Sequence, residues 1–315
     1  MLRTVAIAVI FMLLSCARNE GPDSKPLKPS GPYVVVLGIA QDAGYPQAGC
    51  AKNCCKGAWA ARRQKMVSCL ALVDPLSGQR WLFDCTPDFP KQMALLDSLA
   101  PAGNEWLSGI FLTHAHMGHY TGLMHLGREA MNSKSIKVYA MPDMREFLQS
   151  NGPWIQLVTL QNIELVPLKE DTAVSLNERI SVTAFTVPHR DEFSETVGYL
   201  IKTANSSLVF IPDIDKWQKW DRSILDMVKE NDHIFIDGTF YAEGEIPGRN
   251  MDEIPHPFIS ESMKLFEHLP PSEKQKIHFI HLNHTNPALQ DSSVAQKEIY
   301  GKGYRWAREM QIIAL

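Results

Sequence analysis

The sequence predicts a layered α/β protein. Short apolar runs rich in β-branched residues recur along the chain, helical stretches separate many of them, and no internal repeat of roughly 20–50 residues is visible. The composition agrees: 45% hydrophobic and 21% charged residues exclude a disordered or collagen-like chain. Six Cys in 315 residues are too sparse for a small disulfide scaffold. With 35 acidic against 31 basic residues, no broad basic face is indicated, so nucleic acid is not an expected partner.

The elements follow in chain order. Val5–Leu14 is an apolar run of 10 residues behind Arg3. A membrane-spanning helix needs about 20, so the run reads as the apolar stretch of an export signal. It ends in Leu13-Leu14-Ser15-Cys16, which resembles the lipobox of bacterial lipoproteins. That resemblance implies a signal peptide over 1–15, cleavage before Cys16 and lipidation of its sulfur. The chain is then expected to be exported and lipid-anchored to a bacterial cell membrane, on the periplasmic or cell-surface side. Residues 16–32 carry Pro22, Pro26, Pro29 and Pro32 and read as a flexible tether, leaving 33–315 as the domain. Within it, β-branched runs predict strands at Tyr33–Leu37, Ser68–Val73, Trp81–Asp84, Gly109–Thr113, Ile136–Ala140, Ile180–Val187, Val197–Lys202, Ser207–Pro212, His233–Asp237 and Lys276–Leu282. Helices are expected at about 88–99, 121–131, 142–150, 216–229 and 259–268.

Several of these strands end in polar or ionisable residues: Asp84, Thr113 before His114, Pro188-His189, Asp213, Asp237 and His281. Loops held by a rigid sheet are where chemistry concentrates. The strongest signal is Thr113-His114-Ala115-His116-Met117-Gly118-His119, directly after a strand and before a helix. Three His on such a loop can turn toward a common point, and imidazole suits Zn, Fe and Mn.

This motif resembles the His-x-His-x-Asp-His signature of the metallo-β-lactamase superfamily. The resemblance covers 33–315 in element order. It implies a four-layer αββα sandwich with metal at one edge of two sheets. It further implies His114, His116 and His189 as ligands of a first metal, and Asp213 as the bridging carboxylate. His119 and His281 would hold a second metal, and Asp84 would orient a ligand. One departure matters: Gly118 stands where the signature has Asp. The expectation is therefore one well-held metal and a second that is weak or absent.

Gln41-Asp42-Ala43-Gly44-Tyr45-Pro46-Gln47-Ala48-Gly49-Cys50 leads into Cys54-Cys55. Three thiols so close can hold a tetrahedral zinc with a fourth ligand from elsewhere, and in an exported chain a disulfide is the alternative. The stretch resembles the branch containing the pyrroloquinoline-quinone biosynthesis protein B and the cyclic-ribose phosphodiesterase of phosphonate breakdown. From that likeness, His281-Leu282-Asn283-His284 assigns His281 to the active site. It assigns His284 to a structural zinc with Cys50, Cys54 and Cys55. Cys69 and Cys85 read as buried apolar residues.

The functional expectation is a metal-dependent hydrolase of a small phosphodiester or other ester. Zn2+ is the expected ion, with Fe2+ or Mn2+ as alternatives at the active site. Asp213 would orient the attacking water and His256 would protonate the leaving group. The competing reading is a protein of the quinone-biosynthesis branch, an iron-dependent oxidative enzyme or carrier without hydrolysis, which Gly118 favours. Asp237-Gly238-Thr239 is expected to line the pocket. His125, His233, His268 and His278 read as structural or surface residues, Trp217 and Trp220 as core, and 143–172 and 239–257 as pocket loops.

Overall fold

Runs of Val, Ile, Leu and Phe without interspersed charge suit strands covered on both faces. The computed structural model describes residues 29–315. Among the described residues it holds β1 (Tyr33–Gly38), β2 (Cys69–Asp74), β3 (Gln79–Phe83), β4 (Gly109–Phe111), β5 (Ile136–Ala140), β6 (Ile163–Pro167) and β7 (Ala173–Ser175). The chain continues through β8 (Ser181–Thr186), β9 (Val197–Lys202), β10 (Ser207–Ile211), β11 (His233–Asp237), β12 (Ile277–Ile280), β13 (Arg305–Trp306) and β14 (Ile312–Ala314). They form two seven-stranded mixed sheets, ordered β14-β1-β2-β3-β4-β5-β6 and β13-β12-β11-β10-β9-β8-β7. The signal segment 1–15, Cys16 and the tether up to residue 28 lie outside the described residues.

Side-chain alternation builds the layers. In β1 every residue is buried. Val34 and Val36 enter the core between the sheets, while Tyr33, Val35 and Leu37 enter the core beneath the helix Phe89–Leu99. Aromatic rings tie the two sheets together. Tyr139 stacks on Phe111 at 4.3 Å and Phe111 on Phe83 at 5.1 Å. Tyr199 of the other sheet meets Phe83 and Phe111 edge-on at 5.3 and 5.5 Å. Helices Phe89–Leu99, Pro142–Ser150 and Trp154–Thr159 cover the first sheet. Ile224–Glu230, Ile259–Leu265 and Val294–Gly301 cover the second. This is the αββα sandwich that the sequence predicts.

The ten expected strands are present; the four others are short or lie at or near the sheet margins. The helix expected over 121–131 shortens to a 3-10 turn, Thr121–Leu126, because the backbone of Gly127 is extended. The one expected over 216–229 breaks into a 3-10 turn, Trp217–Lys219, and the helix Ile224–Glu230, whose cap Ser223 accepts from the Asp226 N–H at 3.2 Å. The segment 143–172 is not a loop, since it carries two helices and β6.

Strand direction determines where the chemistry gathers. β3, β4 and β5 are parallel, as are β10, β11 and β12. β8 shares the direction of β10, because both are antiparallel to β9. Asp84, His114, His189, Asp213, Asp237 and His281 thus all fall at the C-terminal strand ends, on one rim of the sandwich.

Candidate metal centre

Two of the strand ends turn through backbone that L residues seldom adopt. Asp84 has φ of 69° and His281 has φ of 63°. Each places its side chain at the rim; such conformations persist where surrounding contacts fix them. The Asp84 turn is pinned to the histidine loop, with the Cys85 N–H donating to the His119 carbonyl at 2.8 Å and the Gly122 N–H donating to the Cys85 carbonyl at 2.8 Å.

Hydrogen bonds orient three imidazoles in the same manner. His119 Nδ1 donates to Asp84 Oδ2 at 2.7 Å. Asp84 is itself held by the N–H and hydroxyl of Thr113, both at 2.9 Å. His114 Nδ1 lies 3.0 Å from the Thr113 hydroxyl, and His281 Nδ1 lies 3.0 Å from the Thr239 hydroxyl. With Nδ1 occupied, Nε2 is the free donor atom in each case. This is how metal-binding histidines are held, and Asp84 stands behind the His119 ring.

Those Nε2 atoms have no protein partner. The Nε2 atoms of His114, His119, His189 and His281 are buried without a hydrogen bond, as are Asp42 Oδ1 and Asp213 Oδ1. Buried polar atoms are normally satisfied, so their concentration at one point calls for a ligand. Two groups form: His114, His116, His189 and Asp213, and then Asp42, His119 and His281, each with ligand atoms within 4.8 Å of one another. Asp213 stands between them. Its Oδ2 is 3.5 Å from His114 Nε2, 3.8 Å from His119 Nε2 and 4.0 Å from His281 Nε2, while its Oδ1 is 3.4 Å from His189 Nε2. Two tetrahedral ligands about 2.1 Å from one zinc lie about 3.4 Å apart, so this donor set fits a metal. His116 is the most exposed of the imidazoles in these two groups, and its Nε2 meets Glu192 Oε2 at 2.9 Å.

The electrostatics follow from burial and these neighbours. Burial disfavours charge on His119, but Asp84 and Asp42 outweigh it and hold the imidazole well above its ordinary value. Burial pushes His114 well below 6.5, aided by the charge on His119. Burial would raise Asp213, yet His189, His256 and His281 hold it well below the usual carboxylate range. His256 is buried, its Nδ1 donating to Asp237 Oδ2 at 2.8 Å while lying 3.1 Å from Asp213 Oδ1. Against the desolvation of burial, these carboxylates raise it to about 10. Asp237 also accepts the N–H groups of Ile214 and Thr239, so it is fixed before it orients His256.

A second cluster lies along the Cys loop. Cys50, Cys54, Cys55 and His284 gather within 4.8 Å. The Cys50 and Cys54 sulfurs are 3.8 Å apart, and all five described cysteines are free, so no disulfide forms among them. Thiolates at about 2.3 Å from a tetrahedral zinc lie about 3.8 Å apart. His284 Nδ1 is 2.8 Å from Asn283 Oδ1, which leaves Nε2 free.

The remaining histidines stand apart. His125 stacks on Phe89, His278 stacks on Phe235, and His268 is exposed. Trp217, Trp220, Cys69 and Cys85 are buried, as expected. Sequence reasoning missed Asp42 and Glu192 as rim residues. Asp42 stood in plain view in Gln41-Asp42-Ala43-Gly44, but its distance from the histidine motif gave no sign that the two meet.

Residues 79–279 match the beta-lactamase superfamily domain. The chain is similar to the coenzyme PQQ synthesis protein B of Methylobacterium nodulans, with 27% identity over 304 residues, 86% of this chain and 95% of the relative. Among solved structures it is similar to a Zn2+-bound PqqB from Methylobacterium extorquens, with a TM-score of 0.74 at 21% identity, over 90% of this chain and 100% of that one. It is also similar to a diphosphatase from the PhnP family, with a TM-score of 0.63 at 18% identity, over 90% of this chain and 96% of that one. At these identities the structural likenesses show the fold.

Proposed function

This chain belongs to the beta-lactamase superfamily, and from that premise we propose that it is a metal-dependent hydrolase of a small phosphodiester or other ester. One observation carries the reading: buried nitrogens and oxygens from the ends of β4, β8, β10 and β12 and from the loop after β1 converge without protein partners. His114, His116, His189 and Asp213 would hold the ion, Zn2+ by ligand type, with Fe2+ and Mn2+ as alternatives. A bound divalent cation supplies a Lewis acid that activates water near neutral pH and polarises the scissile group. Asp213 offers an acceptor that orients the attacking water. His256, held by Asp237, keeps a proton at neutral pH for the departing oxygen. Cys50, Cys54, Cys55 and His284 would hold a structural zinc that fixes the loop after β1.

Metal analysis of freshly purified protein, followed by turnover of generic phosphodiester and ester substrates, tests the proposal. Bound metal and activity lost in His116→Ala support it. A protein without metal at this rim, or activity indifferent to His116→Ala, ends it.

A second reading is favoured by the coenzyme PQQ synthesis protein B relatives, to which 86% of the chain aligns. Here the rim would hold iron and the protein would serve quinone biosynthesis as an oxidative enzyme or carrier. Oxygen uptake with Fe2+ and a tyrosine-derived substrate, without ester hydrolysis, would select it. We further propose that the domain is exported and tethered through lipid on Cys16. Mass spectrometry of the mature N-terminal peptide reads this directly, and an unprocessed N-terminus contradicts it.

A further inference from the structure

We infer that Asp42 supplies the carboxylate of a second metal position, with His119 and His281, and occupies the place that a side chain at position 118 would take. The inference deepens the metal reading of the rim and rests on it. Position 118 is glycine, which removes a carboxylate from the histidine loop. The structure shows what fills that space. A Cβ built on Gly118 would collide with the Cα and Oδ1 of Asp42 and lie 2.9 Å from its Cβ. A side chain at 118 and Asp42 in its present place therefore exclude one another, and the carboxylate present is that of Asp42.

The geometry around Asp42 is that of a ligand. Oδ1 lies 3.3 Å from His119 Nε2 and 3.6 Å from His281 Nε2. All three atoms are buried and without a hydrogen-bond partner. Asp213 Oδ2 stands 3.8 and 4.0 Å from the same two nitrogens, completing a four-donor set of two imidazoles and two carboxylates. Those separations match the roughly 3.4 Å expected between neighbouring ligands of a tetrahedral zinc. His119 and His281 enter with Nδ1 fixed by Asp84 and Thr239, so their Nε2 atoms already face the ion's position.

The backbone holds Asp42 there. Gly38 ends β1 at a register shift against β2, and a Cβ on it would overlap the Val67 carbonyl. From there the chain runs beside the strand end that carries His281. Ala40 bridges Val67 and Leu282, the Leu282 N–H donates to the Ile39 carbonyl at 2.8 Å, and the Gln41 N–H donates to the Leu282 carbonyl at 2.9 Å. The residue before Asp42 is thus tied to the residue after His281, so ligand and partner move as one piece. The rim would then offer donors for two ions, with Asp213 standing between the two sets, in place of the single ion expected from Gly118.

The test is metal stoichiometry. The full chain, loaded with Zn2+ and dialysed, is analysed by plasma mass spectrometry, alongside Asp42→Ala, Asp42→Asn and the exchange variant Asp42→Gly/Gly118→Asp. Co2+ absorption spectra provide a second readout. We expect Asp42→Ala and Asp42→Asn to hold one ion fewer than the wild type, or to bind it more than about 100-fold more weakly. We expect the exchange variant to recover it, because the carboxylate returns from the other side of the same space. An unchanged metal count in Asp42→Ala, with wild-type affinity, overturns the inference. So does a wild-type rim that holds a single ion. A wild-type rim without any ion brings down the functional proposal itself, so the two failures are told apart.

Discussion

The two rims of the sandwich treat buried polar groups in opposite ways. On the rim opposite the histidines, Asp74 ends β2 fully buried. Its oxygens accept from the Leu76 N–H, the Ser77 hydroxyl, the Asn177 amide and the Arg179 guanidinium, at 2.6–3.1 Å. Beside it, buried Arg80 reaches Asp97 at 2.7 Å and the carbonyls of Ala100 and Trp106. Both of these charged groups are paired there, and among the described residues only two neutral amide oxygens near that rim, Asn162 Oδ1 and Asn231 Oδ1, are left without a partner. On the histidine rim, acceptors and donors of equal strength are left without partners. A polar group that serves the fold is paired by the fold, while one that serves a ligand is oriented from behind and left bare in front. The contrast predicts that substitutions separate cleanly into those that cost function and those that cost stability.

The largest expected effect is on function. His116→Ala should reduce turnover by at least about 100-fold, since even an outer partner of a metal ligand contributes about 10–100-fold. Because His116 is partly exposed, the chelated variant should unfold at the wild-type denaturant midpoint. A shifted midpoint would erase the contrast between the rims. The converse is Asp74→Ala, which should cost about 3 kcal/mol in denaturant unfolding, because it strands a buried network. Metal content and turnover at low temperature should match the wild type, and loss of metal would show that the rims are coupled.

The third prediction concerns pH. His278, in β12, is buried against Phe235 and pushed from 6.5 down to about 4 by desolvation. Its folded-state pKa lies below the unfolded value, so the unfolded chain takes up the proton first as the pH falls. The contribution is whole above pH 6.5 and is lost progressively toward pH 4. Between pH 7 and pH 5 the metal-loaded protein should lose about 2 kcal/mol that His278→Phe retains. Parallel acid limbs for the two proteins would refute this. The smallest effect is expected at Glu192, whose contact with His116 is exposed. Glu192→Gln should change metal affinity and turnover by less than about five-fold, and a larger change would make Glu192 part of the centre.

What the sequence disclosed follows the same divide between local and long-range physics. Strands such as Tyr33–Gly38 and Ser207–Ile211 were legible because burial on both faces demands uninterrupted apolar residues. Ile163–Pro167 was missed because it is a half-exposed edge strand with Glu164 inside and Pro167 at its end. His114, His116 and His119 announced themselves by spacing, and His189, Asp213 and His281 by their place at strand ends. Asp42 did not, because its role depends on the space opened by a glycine far along the chain. No local pattern encodes that complementarity. The Cys cluster was legible as thiols in one short loop, and the fold supplied the reason that His284 reaches it.

The central claim is that imidazoles from distant strands share a cation on one rim. Crystals of the metal-loaded protein, measured at the zinc absorption edge, test it most directly. The account predicts anomalous density among His114, His116, His189 and Asp213, about 2.0–2.2 Å from the ligand atoms, in addition to a peak at the Cys50 cluster. Density at the cysteines alone, with none at the rim, would contradict it.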